Sequence, residues 1–215
     1  MAFHLAFAGA AVLGLFLPGP APSGWRMAGL VALYLMALPA WAWWRGHREW
    51  LDLFAFLLPV SVLQVLPDWF LSRVLGVLVF PAEGFPKIDT VSAYMAGLWT
   101  IPLFLSVWAG VVAARARGPG VGAAVAALAA LVIFWASEET LWAVPVWHAQ
   151  HVTMVGHAAV YVLVPEAILG AVTFDTYRRV QRRPPGIKLL YAVPVTLTYT
   201  GALAIAYLLV EGLRS

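Results

Sequence analysis

The chain has 215 residues, of which 63% are hydrophobic and only 11% carry a charge, and its mean hydropathy is +0.87. These values exclude a soluble enzyme and a disordered protein, and they predict apolar helices of about 20 residues that cross a bilayer. The pI of 9.4 does not indicate nucleic acid as a partner, because the basic residues lie in short loops between apolar runs. Since the sequence contains no cysteine, disulfides, thiolate metal ligands and cysteine nucleophiles are excluded as well.

Seven apolar runs follow one another along the chain, separated by clusters of glycine, proline and charged residues. They predict an all-α, polytopic membrane helix bundle with about seven transmembrane helices, folded as a single integral membrane domain over residues 1–215. The predicted helices are 3–18, 25–44, 51–66, 92–114, 121–142, 152–174 and 188–210. We interpret the first of them as a retained span and not as a signal peptide, because no basic segment precedes it.

The stretch after the third predicted helix departs from this simple pattern. Pro67-Asp68 is expected to end that helix. A further apolar run follows over 69–80, but it is too short to cross the hydrocarbon core. The sequence therefore predicts an interfacial or re-entrant helix at 69–80.

The distribution of basic residues predicts the orientation of the bundle. With seven helices, nine of the thirteen Lys and Arg residues fall in the three loops on the side of the N-terminus. Cytoplasmic loops are enriched in these residues. We therefore expect a protein of the plasma or inner membrane type, with its N-terminus in the cytoplasm and its C-terminus outside.

Small residues are abundant over 108–131, which covers parts of the fourth and fifth predicted helices. Alanine and glycine let helix backbones approach closely in a membrane. The sequence therefore predicts close packing of these two helices, and it suits contact with another chain in a homo-oligomer or hetero-oligomer.

The stretch 135–166 carries most of the candidate chemistry. Glu138 and Glu139 lie in the last turns of the apolar fifth helix, where burial favours the neutral acid, which can donate a proton. Successive side chains on a helix point about 100° apart, so at most one of the two is expected to face the bundle interior. The alternative is that both acids lie in the aqueous headgroup zone. Three nearby tryptophans are candidates either for interfacial anchors or for walls that stabilise a cation: Trp135, Trp142 and Trp147.

Three histidines follow the acidic pair in the sequence: His148, His151 and His157. His148 and His151 are three residues apart and would share one helix face if the sixth helix begins early enough, which is a usable spacing for metal ligands. Glu138 or Asp68 would have to complete such a divalent metal site. The other interpretation is that the histidines are solvated or hydrogen-bonded and that no cofactor is present. His157 lies half a turn out of phase with His148 and is not expected to join a metal site on one straight helix.

Glu166 directly follows Pro165 and is predicted to lie deep in the sixth helix, about fourteen residues from its start. An acid at that depth is costly and by default suggests a functional pathway, a partner or a neutral state. The alternative is a neutral side chain hydrogen-bonded to the carbonyl that Pro165 leaves free, at Tyr161, or to a hydroxyl group of the seventh helix.

The segment Glu138-Glu139-Thr140-Leu141-Trp142 resembles the paired-carboxylate motif of the small membrane-embedded lycopene cyclases, the heterodimeric or fused short type. Asp68 followed by Gly76-Val77 is similar to the aspartate and Gly-Val segment upstream of that motif. The chain has Ala136-Ser137 where the family has a proline before the pair. The resemblance implies a polytopic bundle in which paired acids protonate the end group of a polyene, and hence terpene or carotenoid chemistry.

Two classes of function fit these observations best. The first is an integral membrane enzyme that performs acid-base chemistry on an isoprenoid or other lipophilic substrate, by cyclisation, hydration or isomerisation. Its expected proton donor is Glu138 or Glu139, and the expected acceptors or relays are Asp68, His148 and His151. The residues expected to contact the substrate are Trp135, Trp142, His157, Tyr161 and Glu166.

The second class is a non-enzymatic membrane subunit that binds lipid or pigment within a larger complex. A metal-dependent membrane enzyme, with Glu138, His148 and His151 as ligands, is a third interpretation. A carrier that uses Glu166 as its proton site is a fourth, although the sequence shows no repeated halves.

Overall fold

The computed structural model describes residues 2–17, 19–144 and 146–212. Within them, six helices are long and apolar enough to cross a membrane, which confirms the predicted all-α membrane bundle. The helices are α1 (Ala2–Phe16), α2 (Ser23–Trp44), α3 (Arg48–Leu63), α4 (Val65–Trp69), a π-helical turn (Phe70–Val74), α5 (Met95–Leu98), α6 (Thr100–Arg117), α7 (Pro119–Leu141), α8 (Val160–Val180) and α9 (Pro185–Val210). The strands are β1 (Leu78–Val79), β2 (Lys87–Ile88), β3 (Val91–Ser92), β4 (His148–Ala149), β5 (Met154–Val155) and β6 (Ala158–Ala159).

The third helix is longer than the sequence predicted. Pro67-Asp68 does not end it, because α3, α4 and the π-helical turn together form one apolar span, Arg48–Val74. The prediction of a separate interfacial or re-entrant helix at 69–80 is wrong. The first half of that run continues the span, and the second half leaves it at Gly76, whose φ of 66° turns the chain towards β1.

The sixth predicted helix starts later than expected. It was predicted to begin at residue 152, but α8 begins at Val160. The residues before Val160 form short strands and turns, and Gly156 has a left-handed backbone with a φ of 62°. The helical face that His148 and His151 were expected to share therefore does not exist, because both lie before the helix.

Two loops cover one end of the bundle, which we call the loop end: residues 75–94 and 142–159. They are joined by the antiparallel pair β1 and β4, in which Leu78 lies opposite Ala149. The opposite end, which we call the turn end, consists of the short connections at 45–47, 118 and 181–184. There the buried Lys188 ammonium group donates to Asp52 Oδ1 at 2.5 Å.

Small residues bring α6, α7 and α8 close together. A Cβ atom added at Gly110 of α6 would lie 2.7 Å from the carbonyl oxygen of Gly122 in α7. One added at Gly170 of α8 would lie 2.5 Å from the carbonyl oxygen of Ala126. The small residues therefore allow helices of the same chain to pack closely. Its contact with another chain stays a prediction.

An arginine of α2 forms hydrogen bonds with the end of the short helix α1. Arg26 of α2 donates from Nε to the carbonyl oxygen of Gly14 at 2.7 Å and from Nη2 to that of Leu15 at 2.6 Å. These carbonyl groups at the end of a helix have no partner within the helix. The contact holds α1 beside α2, and the other side of α1 is free to line the interior space described next.

Candidate active site

An apolar cavity of about 500 Å³ lies inside the bundle. Side chains of α1, α2 and α4 to α9 line it, and most of them are aliphatic or aromatic. Three carboxyl groups from three different helices reach the same cavity: Asp68 from α4, Glu138 from α7 and Glu166 from α8. Chain segments far apart in sequence thus bring together three of the acids that the sequence analysis selected.

Glu138 lies near the end of α7 and faces the cavity. Its Oε1 atom accepts a hydrogen bond of 3.0 Å from the indole Nε1 of Trp147, which comes from the loop at 142–159. Trp147 itself lines the cavity. The loop therefore orients one oxygen of the Glu138 carboxyl group.

Asp68 is held in a similar way. Its side chain is buried, and its Oδ2 atom accepts a hydrogen bond of 2.9 Å from the indole Nε1 of Trp99. Trp99 lies at the junction of α5 and α6, 31 residues further along the chain, and also lines the cavity. Each of these two acids therefore has an indole donor in the cavity wall.

Glu166 is buried in the second turn of α8, directly after Pro165. It lies six residues from Val160, so by the helical rise it is about 9 Å from the start of the helix and less deep than the sequence predicted. Among the described residues, its Oε2 atom has no hydrogen-bond partner. The expected bond from this oxygen to a hydroxyl group of the last helix is therefore absent from the described part of the chain.

Aromatic rings complete the wall near these acids. Tyr161 and Tyr199 are buried and line the cavity. The ring of Trp99 lies 5.7 Å from that of Tyr199 and 5.1 Å from that of Phe134, measured between centroids. The face of an aromatic ring carries partial negative charge and attracts a cation, most strongly where water is excluded.

Glu139 points away from the cavity, as the 100° rule for neighbouring side chains leads one to expect. Its two oxygens accept bonds from His157, one from the backbone nitrogen and one involving Nδ1, each at 2.9 Å. Trp135 donates to the same carboxylate at 3.2 Å, and the ring of Trp142 stacks on His157 at 4.2 Å. These four residues form one cluster at the loop end, which we call the outer cluster. None of them is among the described residues that line the cavity.

The outer cluster depends on a glycine. A Cβ atom at Gly156 would lie 2.0 Å from Glu139 Oε1, and its φ of 62° is one that other residues rarely adopt. The close approach lets the carboxylate reach the backbone nitrogen of His157. Glu139 therefore acts as a structural link between α7 and the loop before α8.

His148 and His151 do not join either group of acids. His148 lies in β4, opposite Val79, and His151 has a φ of 56° in the bend that follows. Both are exposed, and neither lines the cavity. In residues 2–17, 19–144 and 146–212, no group of three His, Asp or Glu side chains is arranged to hold a metal ion. His148 and His151 do not share a helix face, because both precede α8. A divalent metal site and a proton relay through these histidines stay predictions.

Sequence reasoning missed two of the residues that shape the cavity, Trp99 and Tyr199. Both are aromatic residues inside apolar helices, where a packing role gives the same signal as a binding role. The pairing of Trp99 with Asp68 crosses 31 residues. No local pattern marks it.

The fold and the cavity define an integral membrane helix bundle with an internal acidic site. The chain belongs to a family described as a domain of unknown function, DUF6989, whose model matches residues 65–210. That segment runs from α4 to the end of α9 and contains the three cavity acids. No curated protein and no solved structure matches the chain.

Proposed function

We propose that this protein is a membrane enzyme that performs acid-base chemistry on an isoprenoid or similarly unsaturated lipid. The observation that carries the proposal is the set of three carboxyl groups in one apolar, aromatic-lined cavity inside the bundle. Buried acids are costly in a membrane and generally mark functional sites. Apolar walls with a few convergent polar groups are typical of small-molecule sites.

The proposed reaction starts with transfer of a proton from the neutral Glu138 carboxyl group to one carbon of a substrate double bond. The second carbon of that bond becomes a carbocation, and Glu138 becomes a carboxylate. Attack by another double bond forms a ring and moves the positive charge. Loss of a proton from a neighbouring carbon to a carboxylate then yields a neutral product that is an isomer of the substrate, so no oxidant or reductant is needed.

The other cavity residues have distinct roles in this scheme. Asp68 and Glu166 are the candidate acceptors of the proton that leaves, because both line the same cavity as Glu138. The aromatic rings that line the cavity, those of Tyr161, Tyr199 and Trp99, are the candidates to stabilise the cation. Trp147 is a positioning residue, since it holds Oε1 of Glu138 and leaves the second oxygen free of that contact.

The resemblance of the acidic pair to the small lycopene cyclases supports this choice of chemistry. Of the acidic pair, only Glu138 is among the described residues that line the cavity, which supports Glu138 as the donor. Glu139 supports the loop instead. We therefore assign the donor role to Glu138 alone.

We further propose that the turn end faces the cytoplasm and the loop end faces outwards. The turns at 45–47 and 181–184 lie at one end with the arginines that flank them, and this clustering suits the positive-inside rule. Reporter fusions placed after Gly186 and after Gly212 test it. The expected result is a cytoplasmic signal from the first and an external signal from the second.

The test of the enzyme uses deuterium. Purified protein in D₂O is given linear isoprenoids of several lengths, and the products are analysed by mass spectrometry and NMR. Each turnover should place one deuterium on carbon. Glu138→Gln keeps the shape of the side chain but removes the proton, so labelling should fall by about 100-fold or more.

Glu139→Gln is the matched control, because it changes the neighbouring carboxylate outside the cavity. Labelling should persist in this variant. Equal loss in both variants would contradict the assignment of the donor. Retention of a lipid or pigment in the cavity with no label on carbon would favour the alternative of a non-enzymatic lipid-binding subunit.

A further inference from the structure

A second concave space, which we call the basic cleft, opens at the turn end of the bundle. Its volume is about 610 Å³, and it lies between the start of α1, the α2–α3 turn and the last turns of α6. Its walls carry the guanidinium groups of Arg45, Arg48 and Arg115 and the carboxylate of Glu49. Among the described residues that line it, three cationic groups against one anionic group leave a formal charge of +2.

Aromatic rings orient two of these arginines. The guanidinium group of Arg115 lies 5.4 Å from the ring centroid of Trp108 and donates to Glu49 at 2.6 Å. That of Arg45 lies 5.8 Å from the ring centroid of Trp41. Guanidinium groups that are oriented in this way bind phosphate oxygens through paired hydrogen bonds. The cleft is therefore suited to an anion with several oxygens.

The walls of the basic cleft and of the apolar cavity meet at two neighbouring aromatic side chains. His4 lines the cavity, while Trp50 lines the cleft, and their ring centroids are 5.2 Å apart. The His4 ring also stacks on Phe104 at 5.4 Å. From His4 the cavity follows α1 to Phe16, a length of about 18 Å by the helical rise. The cleft thus lies beside one end of a long apolar space.

We propose that the basic cleft binds the phosphate or diphosphate group of an amphiphilic substrate whose hydrocarbon chain passes His4 and lies in the apolar cavity. This inference rests on the proposed function, because it places a double bond in the far part of the chain near Glu138. The head group would be held at the turn end and the reacting carbons towards the loop end. The substrate class is then a prenyl phosphate or diphosphate and not an uncharged hydrocarbon.

Binding to purified protein in a neutral detergent tests the head-group site. The probes are a C20 prenyl diphosphate, the C20 alcohol with the same chain, and inorganic pyrophosphate. We expect the diphosphate lipid to bind at least about tenfold more tightly than the alcohol, and added salt should reduce this difference. Inorganic pyrophosphate should bind more weakly than the lipid, because it lacks the chain.

Three variants locate the site. Arg45→Gln and Arg48→Gln should each remove most of the preference for the diphosphate lipid. Arg117→Gln is the matched control, since this exposed arginine lies at the same end of α6 but does not line the cleft. Similar losses in all three variants would show a general effect of surface charge and overturn the proposal. Displacement of the prenyl diphosphate by an equal amount of phosphatidylglycerol would also overturn it, since the cleft would then bind any anionic lipid.

The deuterium assay separates this inference from the proposed function. If the alcohol and the diphosphate both acquire deuterium and have equal KM values, the acid chemistry stands and the head-group proposal fails. If binding depends on Arg45 and Arg48 but no substrate acquires deuterium, the head-group site stands and the acid chemistry fails. The supporting result is a KM for the diphosphate that rises in Arg48→Gln with kcat changed less than about twofold, since the arginine acts on binding alone.

Discussion

The carboxyl groups of the cavity and those of the loop end have the same chemistry but different surroundings. Loop-end acids are well supplied with donors: Glu83 accepts from the hydroxyl groups of Ser92 and Tyr94, and Glu139 accepts from His157 and Trp135. The acids of the cavity have fewer hydrogen-bond donors. Among the described residues, Glu138 accepts a hydrogen bond from the indole of Trp147, and one oxygen of Glu166 has no partner.

This difference separates the acids whose oxygens are held by hydrogen bonds from the acids that keep oxygens without a partner among the described residues. A buried polar group whose hydrogen bonds are all made stabilises one arrangement of the surrounding chain. A buried polar group that lacks partners often has a functional role. The loop-end acids therefore fix the loops over the bundle. In the proposed reaction, the cavity acids exchange a proton with the substrate through oxygen atoms that such hydrogen bonds do not occupy.

Removal of Glu83 should give the largest loss of stability. Glu83→Ala leaves two buried hydroxyl groups without their acceptor, which should lower the free energy of unfolding by about 3 kcal/mol. Thermal unfolding in detergent micelles measures it. Asp175→Ala is the control, because that acid is half exposed and makes only surface ion pairs, so its loss should cost less than about 0.5 kcal/mol.

The same residue predicts a pH dependence. Burial raises the pKa of Glu83 above its usual value of 4.5, while its hydrogen bonds and Lys87 oppose this shift. The folded state then holds this proton more tightly than the unfolded state. Its contribution to stability is complete below pH 4.5 and is lost as the pH rises through the raised pKa. The unfolding midpoint of the wild type should therefore fall, relative to Glu83→Gln, over this range, and parallel curves would contradict the prediction.

A methyl group at Gly156 should disturb the outer cluster. Gly156→Ala forces alanine into a left-handed backbone, at a cost of about 1–2 kcal/mol, and also displaces the Glu139 carboxylate. Thermal unfolding should show the loss. Gly186→Ala in the first turn of α9, where the space is open, should leave the midpoint unchanged. An equal response of both variants would show that the outer cluster does not support the loop.

Loss of the indole donor to Glu138 should change activity more than stability. Trp147→Phe removes the hydrogen bond at 3.0 Å but keeps an aromatic ring in the wall, so we expect about a tenfold lower kcat and a shifted pH profile. Trp142→Phe is the control in the same loop, because Trp142 lies outside the cavity lining. An unshifted pH profile in Trp147→Phe would show that the indole has only a packing role.

Among the acids of the cavity and the loop end, Glu166 is expected to contribute little to stability. Since one of its oxygens has no partner in the described chain, Glu166→Leu should change the free energy of unfolding by less than about 1 kcal/mol. Glu139→Leu removes the carboxylate that Trp135 Nε1 and the backbone and ring nitrogens of His157 contact. This variant should lower the unfolding midpoint clearly. If Glu166→Leu were the more damaging of the two, the contrast between cavity and loop-end acids would be wrong.

The class of fold follows from the amino-acid sequence alone, and the sequence also selected the three acids that line the cavity, Asp68, Glu138 and Glu166. Apolar runs of sufficient length can only be membrane helices, because an unpaired backbone is too costly in hydrocarbon. The helical repeat also showed that Glu138 and Glu139 cannot share one environment. Hydropathy did not locate the start of α8, because residues 152–159 are apolar enough for a helix but instead form short strands and a left-handed turn.

Which acid of the pair enters the cavity, and which residue binds it there, depends on contacts between distant parts of the chain. The partner of Asp68 is 31 residues away, at Trp99, and the partner of Glu138 is set by a loop that β1 pins through its pairing with β4. Such contacts depend on how helices are placed against one another. Local hydropathy and helical periodicity describe each segment separately, and they carry no information about the distance between two segments once the chain is folded.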